Sequence, residues 1–201
     1  EWSRRWELAL GAASTLGIVE AEGETQTIET VAGTGRPELN ALSGKALEVN
    51  INQPFGVEFG PDGALYICEV GNHRVLRLDL ASSQIETVAG NGKKGYAGDG
   101  GKAVDATLNE PYEVRFDGKT SMYTVEMMNA VVRKVDLETR MISTVAGTGK
   151  PGFGGDGGPA TQAELKQPHS IALDSRGLYI ADIGNHRIRR VDLESGRIET
   201  V

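Results

Sequence analysis

Cysteine is almost absent: Cys68 stands alone, so no intramolecular disulfide can form and cysteine usage says nothing about the redox compartment. No run of about 18 apolar residues occurs, which leaves no candidate for a membrane-spanning helix. Basic charge is scarce too. Lys and Arg number 21 against 28 Asp and Glu, a net charge of -7. That balance argues against a nucleic-acid partner, because neutralising phosphates needs a basic face. The repeats show no 3.6-residue periodicity of useful length, and the chain contains no convincing catalytic triad or cofactor motif.

Glycine, by contrast, is abundant. The 27 glycines among 201 residues are well above the usual share of about 7%, and they concentrate in two nearly identical stretches, GYAGDGGKAVDATLNEPYEVRFDG (residues 95–118) and GFGGDGGPATQAELKQPHSIALDSRG (residues 152–177). These belong to a longer repeat. IETVAG at residues 28–33 returns at 85–90, as ISTVAG at 142–147, and as IETV at 198–201. The first two steps are 57 residues (28 to 85, 85 to 142) and the last is 56. Pro54, Pro111 and Pro168 keep the step, as do Tyr66, Tyr123 and Tyr179, and Asp79, Asp136 and Asp192. The missing residue falls in the turn at 175–177, where a deletion costs least.

Within one copy the pattern is that of strands. HSIALD, LYIAD, HRIRRVDL and RIETV are four short β-rich runs separated by Gly, Asn, Asp and Ser. Four antiparallel strands in a unit of this length predict a propeller blade, which must stack on its neighbours around an axis to bury both faces. The order Gly-rich loop, P-x-x-(I/V), LYIAD-x-GNHRIRRVD and IETVAG resembles the NHL-repeat family of β-propellers over residues 25–201, with copy 2 departing at EMMNAVVRKVD. The expected fold is therefore all-β: blades at about 32–88, 89–145 and 146–201, one extra outer strand near 25–31, and a place in a six-bladed ring. Such an arrangement leaves apolar flanks on the first and third blades. They would be covered by remaining propeller blades or by self-association.

Residues 1–24 carry Arg4 and Arg5 ahead of twelve uncharged residues (8–19) and read either as an export signal or as a short helix. An export signal would make the protein periplasmic or extracellular.

The glycine loops lack the Lys-Ser/Thr and following helix of a P-loop, and they recur every 57 residues rather than every nine. They read as connections from the outermost strand of one blade to the innermost strand of the next. Asp99 and Asp156 in them are read as turn caps or, alternatively, ion ligands; copy 1 has LSGK there. Strand alternation puts the loops, the start of each first strand and the turn after each second strand on one face. That face is expected to carry Phe55, Tyr112 and His169 at the channel mouth. Glu69, Glu126 and Asp182 are also placed there, with Asn72, Asn129 and Asn185 in the turns, as ligand groups or as turn caps. Cys68 aligns with Val125 and Ala181 and reads as a core residue. PHSIALD (168–174) further resembles zinc-binding segments of peptidylamidoglycolate lyases, propellers whose channel metal is held by His from separate blades. That resemblance implies a metal role for His169, and zinc or calcium in a complete ring, although Phe55 and Tyr112 occupy the matching positions. Two functions follow: a scaffold binding a protein or small-molecule ligand, or a metal-dependent enzyme of the lyase or lactonase kind.

Overall fold

The computed structural model describes residues 27–201, which form three antiparallel sheets. The strands are β1 (Ser43–Lys45), β2 (Pro54–Phe59), β3 (Leu65–Glu69), β4 (Arg74–Asp79), β5 (Gln84–Ala89), β6 (Pro111–Phe116), β7 (Ser121–Glu126), β8 (Val131–Asp136), β9 (Ile142–Ala146), β10 (Pro168–Asp174), β11 (Gly177–Asp182), β12 (Arg187–Val191) and β13 (Ile198–Thr200). Each run of four consecutive strands, β2–β5, β6–β9 and β10–β13, is one up-and-down sheet ordered from inside to outside. These are three propeller blades. Among the described residues no helix is long and apolar enough to cross a membrane.

One Asp per blade sets the outer hairpin. Asp79, Asp136 and Asp192 accept backbone N–H groups two and three residues on, closing the turn between the third and fourth strands.

A blade is apolar on both faces, and its neighbours cover it. Tyr66, Cys68, Val75 and Val88 of the first blade share a core with Val114, Met122, Val135 and Ile142 of the second. Tyr123, Val125 and Val132 of the second meet Ile171, Leu178, Ile180 and Val191 of the third in the same way. Cys68 is buried, and burial pushes its thiol up to about 12, so it behaves as a small core residue.

The glycine loops have a more definite task than crossing between blades. Each runs along the exposed edge of the outermost strand of the blade it is about to enter. Gly100 N–H donates to Ile142 O at 2.8 Å, and Ala103 N–H donates to Arg140 O at 2.8 Å. In the third blade Gly157 and Ala160 bond Ile198 and Gly196 in the same manner. In the first blade the same segment is regular enough to be a strand, β1, paired with β5. An unpaired edge is an invitation to aggregation, and here the linker occupies it. Glycine is needed where the linker leaves the previous blade: Gly147 has φ +93°, and a Cβ on it would overlap the carbonyl oxygen of Ala130.

Residues 28–31 repeat the outer-strand sequence yet join no sheet, and Ile28 is 99% exposed. The fourth place in each described sheet is already filled by β5, β9 or β13, so this expected strand has nothing to pair with. Residues 25 and 26, and the export-signal reading of residues 1–24, lie outside the described residues.

Candidate functional site

The first strand of every blade is bulged just after its proline. Pro111 faces Glu126 and Glu113 faces Val125, which leaves Tyr112 as the extra residue. His169 is the extra residue of β10, and Phe55 with Gly56 occupies the bulge of β2. A bulge re-aims a side chain out of the alternating pattern of its strand. The backbone before it is also unusual: Gln53, Glu110 and Gln167 have φ of +52°, +55° and +50°.

As a result three rings from three blades meet. Phe55 and Tyr112 have centroids 4.7 Å apart, Tyr112 and His169 4.7 Å, and Phe55 and His169 5.3 Å, in edge-to-face or tilted contact. Phe55 remains 56% exposed. With Gly56, Glu113 and Ser170 the rings line an open cavity of about 280 Å³.

Beside the rings runs a polar chain that no motif announced. Glu58 of β2 pairs with Arg115 of β6 at 3.3 Å, and Arg115 also holds Glu113. Glu113 in turn accepts bonds from the Ser170 hydroxyl at 2.5 Å and the Ile171 N–H at 2.8 Å in β10. These contacts tie the innermost strands of all three blades. The signal was present in the sequence as charges alternating with apolar residues in PYEVRF, but it lacks a repeat partner in PHSIAL.

Glu69, Glu126 and Asp182 sit elsewhere. All three are buried, as are Asn72, Asn129 and Asn185. Each carboxylate accepts the backbone N–H that leads into its first strand, from Asn52, Asn109 and Lys166 at 2.7, 2.9 and 2.7 Å. Each also accepts from the Asn three residues on. The Asn donates onward to a carbonyl of the preceding loop, that of Pro37, Gly95 or Gly152. These six residues knit loop, strand entry and turn together and do not line the aromatic cavity.

A buried guanidinium completes each network, and its position shifts between blades. In the second and third blades it is Arg133 and Arg189, paired with Glu126 and Asp182 at 3.3 Å. In the first blade Leu76 stands at that repeat position, and Arg74, two residues earlier on the same strand face, pairs with Glu69 instead. Asp99 and Asp156 follow the shift. Each lies 2.7 Å from the late-position arginine, Arg133 or Arg189. They act as counter-ions here rather than as Asx caps. Arg74 reaches the carbonyls of Ala41 and Asn50 and the Thr87 hydroxyl, so copy 1 needs no loop aspartate and has Leu42 at the equivalent place.

A zinc centre would need three or four converging donors. His169 is surrounded by Phe55 and Tyr112, and among the described residues no three of His, Cys, Asp and Glu come together in a metal-holding group. The residues present do not make a zinc site. His73, in the turn after β3, accepts the Glu110 N–H at 3.2 Å, and burial and Lys94 lower its pKa.

Stacked four-stranded blades, linkers on their edges and a cluster at the axis define a β-propeller segment. In sequence it is similar to NHL repeat-containing protein 2 of Bos taurus, 26% identical over 175 residues, which cover 82% of this chain and 24% of that protein. This chain thus spans about a quarter of that relative's length. In structure it matches a protein of unknown function from Bacteroides thetaiotaomicron, with a TM-score of 0.62 at 19% identity over 82% of this chain and 39% of the other. An auxiliary nutrient binding protein from Bacteroides ovatus superposes with a TM-score of 0.56 at 23% identity, over 70% and 37% of the two chains. No family model matches the chain. The likeness to NHL-repeat proteins holds in sequence, and the fold is that of a β-propeller.

Proposed function

We propose that the chain is a binding module that takes a protein or small-molecule ligand at the channel mouth. One observation carries this reading: three bulged residues at the same repeat position bring Phe55, Tyr112 and His169 together at the lip of an open cavity. Aromatic faces supply apolar contact area at low entropic cost, and Glu113 with Ser170 supplies the polar contacts that fix orientation. Export to the periplasm or exterior is part of the proposal; Arg4, Arg5 and the uncharged run that follows support it. Its test is the mass of the mature N-terminus. A metal-dependent enzyme would need further donors around His169, and no observation favours that reading.

The binding test is a fragment and peptide screen on isotope-labelled protein. Ligands should shift the amides around residues 55, 112 and 169, and Tyr112→Ala should weaken them at least tenfold. Ligands that all map to the hairpins of the opposite face would refute the proposal.

A further inference from the structure

Each linker opens on the same four-residue pattern: GTGR at 33–36, GNGK at 90–93 and GTGK at 147–150. Paired left-handed glycines reverse the chain there, with φ +81° at Gly92 and +82° at Gly149. The side chain between the glycines fixes the turn. Thr34, Asn91 and Thr148 accept the backbone N–H of Arg36, Lys93 and Lys150 at 3.2, 3.0 and 3.3 Å. A cation is thus held at the corner in all three copies. Each is exposed, and among the described residues no carboxylate pairs with any of the three. Three residues further on stands an apolar side chain left partly in water: Leu39, Tyr96 and Phe153 are 40%, 40% and 46% exposed.

Contacts between linkers join these residues into one band. Leu39 lies against Gly92 of the next linker, where a Cβ would run into its Cδ2 atom. Tyr96 lies against Gly149 in the same way, and its hydroxyl shares a hydrogen bond with that of Thr144 at 2.8 Å. Each apolar group therefore abuts the turn that carries the next cation. The band ends on Arg187, whose guanidinium stands 4.0 Å from the Phe153 ring centre. Beneath it, the buried Arg133 and Arg189 lie 5.3 and 5.1 Å from the centres of Tyr96 and Phe153. A ring face repels an anion, and a guanidinium stacked on the ring offsets that. We infer that this band is a second binding surface, and that its occupant is an acidic polypeptide segment with apolar residues between its carboxylates. Cation and apolar group alternate along the band, and such a segment satisfies both. A nucleic-acid strand fits it less well. It brings a charge with every nucleotide, and Glu38, Asp99 and Asp156 lie in the same linkers as the cations. Leu39 also offers no ring on which a base could stack. The opposite face would turn an acidic segment away, because each of its outer hairpins is built on an Asp. None of the band residues lines the aromatic cavity, so this surface does not depend on what the channel mouth takes.

The test is fluorescence anisotropy on the full chain, with a labelled random copolymer of glutamate and tyrosine as probe, beside polyglutamate and oligothymidylate. The copolymer should bind, lose affinity as salt is raised, and outcompete both other polymers. Lys93→Glu and Lys150→Glu should each weaken it about fivefold or more, and Phe153→Ser should do the same. Lys119→Glu, an equal change of charge on a hairpin of the opposite face, should leave it unaltered. All these side chains are exposed, and unchanged circular dichroism verifies folding. Absence of binding, or a loss with Lys119→Glu equal to that with Lys93→Glu, would overturn the inference. Polyglutamate bound as tightly as the copolymer would overturn it too, since the apolar groups would then contribute nothing. Tighter binding of oligothymidylate, lost with the same lysines, would overturn it in favour of a single-stranded nucleic acid.

Discussion

Glu126 is the residue where burial and pairing are least balanced. Burial pushes its carboxyl up to about 7, and Arg133, the Asn109 N–H and Asn129 offset that only in part. Arg133 is shared with Asp99, and its Nε has no partner, so it is a weakened counter-ion. A folded-state pKa above the ordinary 4.5 means that the folded chain keeps a proton the unfolded chain has released. Stability is therefore lost as pH climbs from about 4.5 to about 7 and is flat beyond. His73 has the opposite sign, since its lowered pKa favours the folded state as pH rises through 6.5. Comparing wild type with Glu126→Gln by urea unfolding at pH 5 and pH 8 isolates the carboxyl. The wild type should lose about 2–3 kcal/mol relative to the variant over that interval. Gly147 makes a second test at this scale. Gly147→Ala should lower stability by about 2 kcal/mol or more, because the new Cβ adds overlap with Ala130 to a left-handed backbone. By contrast Gly157→Ala, with φ +79° and open space around it, pays only the backbone strain and should cost about 1 kcal/mol.

At the scale of the element, the sliding arginine links a strand to a loop. Asp99→Ala leaves Arg133 buried with one carboxylate and should cost about 1–2 kcal/mol, moderated because Asp99 is 42% exposed. Rebuilding the second blade on the pattern of the first, with Val131→Arg and Arg133→Leu, should make Asp99→Ala nearly neutral. A double-mutant cycle by thermal unfolding measures that coupling. Equal costs of Asp99→Ala in the two backgrounds would disprove the linkage. This arrangement was only partly legible. The 57-residue step, the strand pattern and the positions of the cluster residues follow from repeats in sequence. Two things do not: a guanidinium that fills one pocket from either of two rungs, and a carboxylate whose partner is 33 or 34 residues away. Aligned by repeat, Arg74 and Arg133 look unrelated, since only the pocket between strands makes them equivalent. Bulges were hidden for the same reason. A residue count per strand cannot show that Tyr112 is unpaired across the ladder, although the proline beside it marks the place.

For the whole molecule, cores that lie between blades make stability a chain of nearest-neighbour terms. The same substitution should therefore have unequal effects along the repeat. In dilute solution Val114→Ala should cost about 2 kcal/mol, since two buried methyl groups are lost, and Val57→Ala well under 1 kcal/mol. Chemical unfolding of both variants at low protein concentration checks this, and equal losses would mean that the first blade's face is covered after all.

The docking of each linker on the edge of the blade it enters has a genetic consequence. A segment such as 89–145 carries its own edge cover, its own loop aspartate and both halves of the flank contact. Duplicated in frame, it brings along everything its fold requires and presents the next copy with the same surface it received. A tandem insertion of that segment should lengthen the stack by one folded blade while the existing blades keep their internal pairing. By that reasoning the stack can lengthen or shorten by whole repeat units, and the breakpoints that preserve the fold fall after the outermost strand, where the chain turns on glycine.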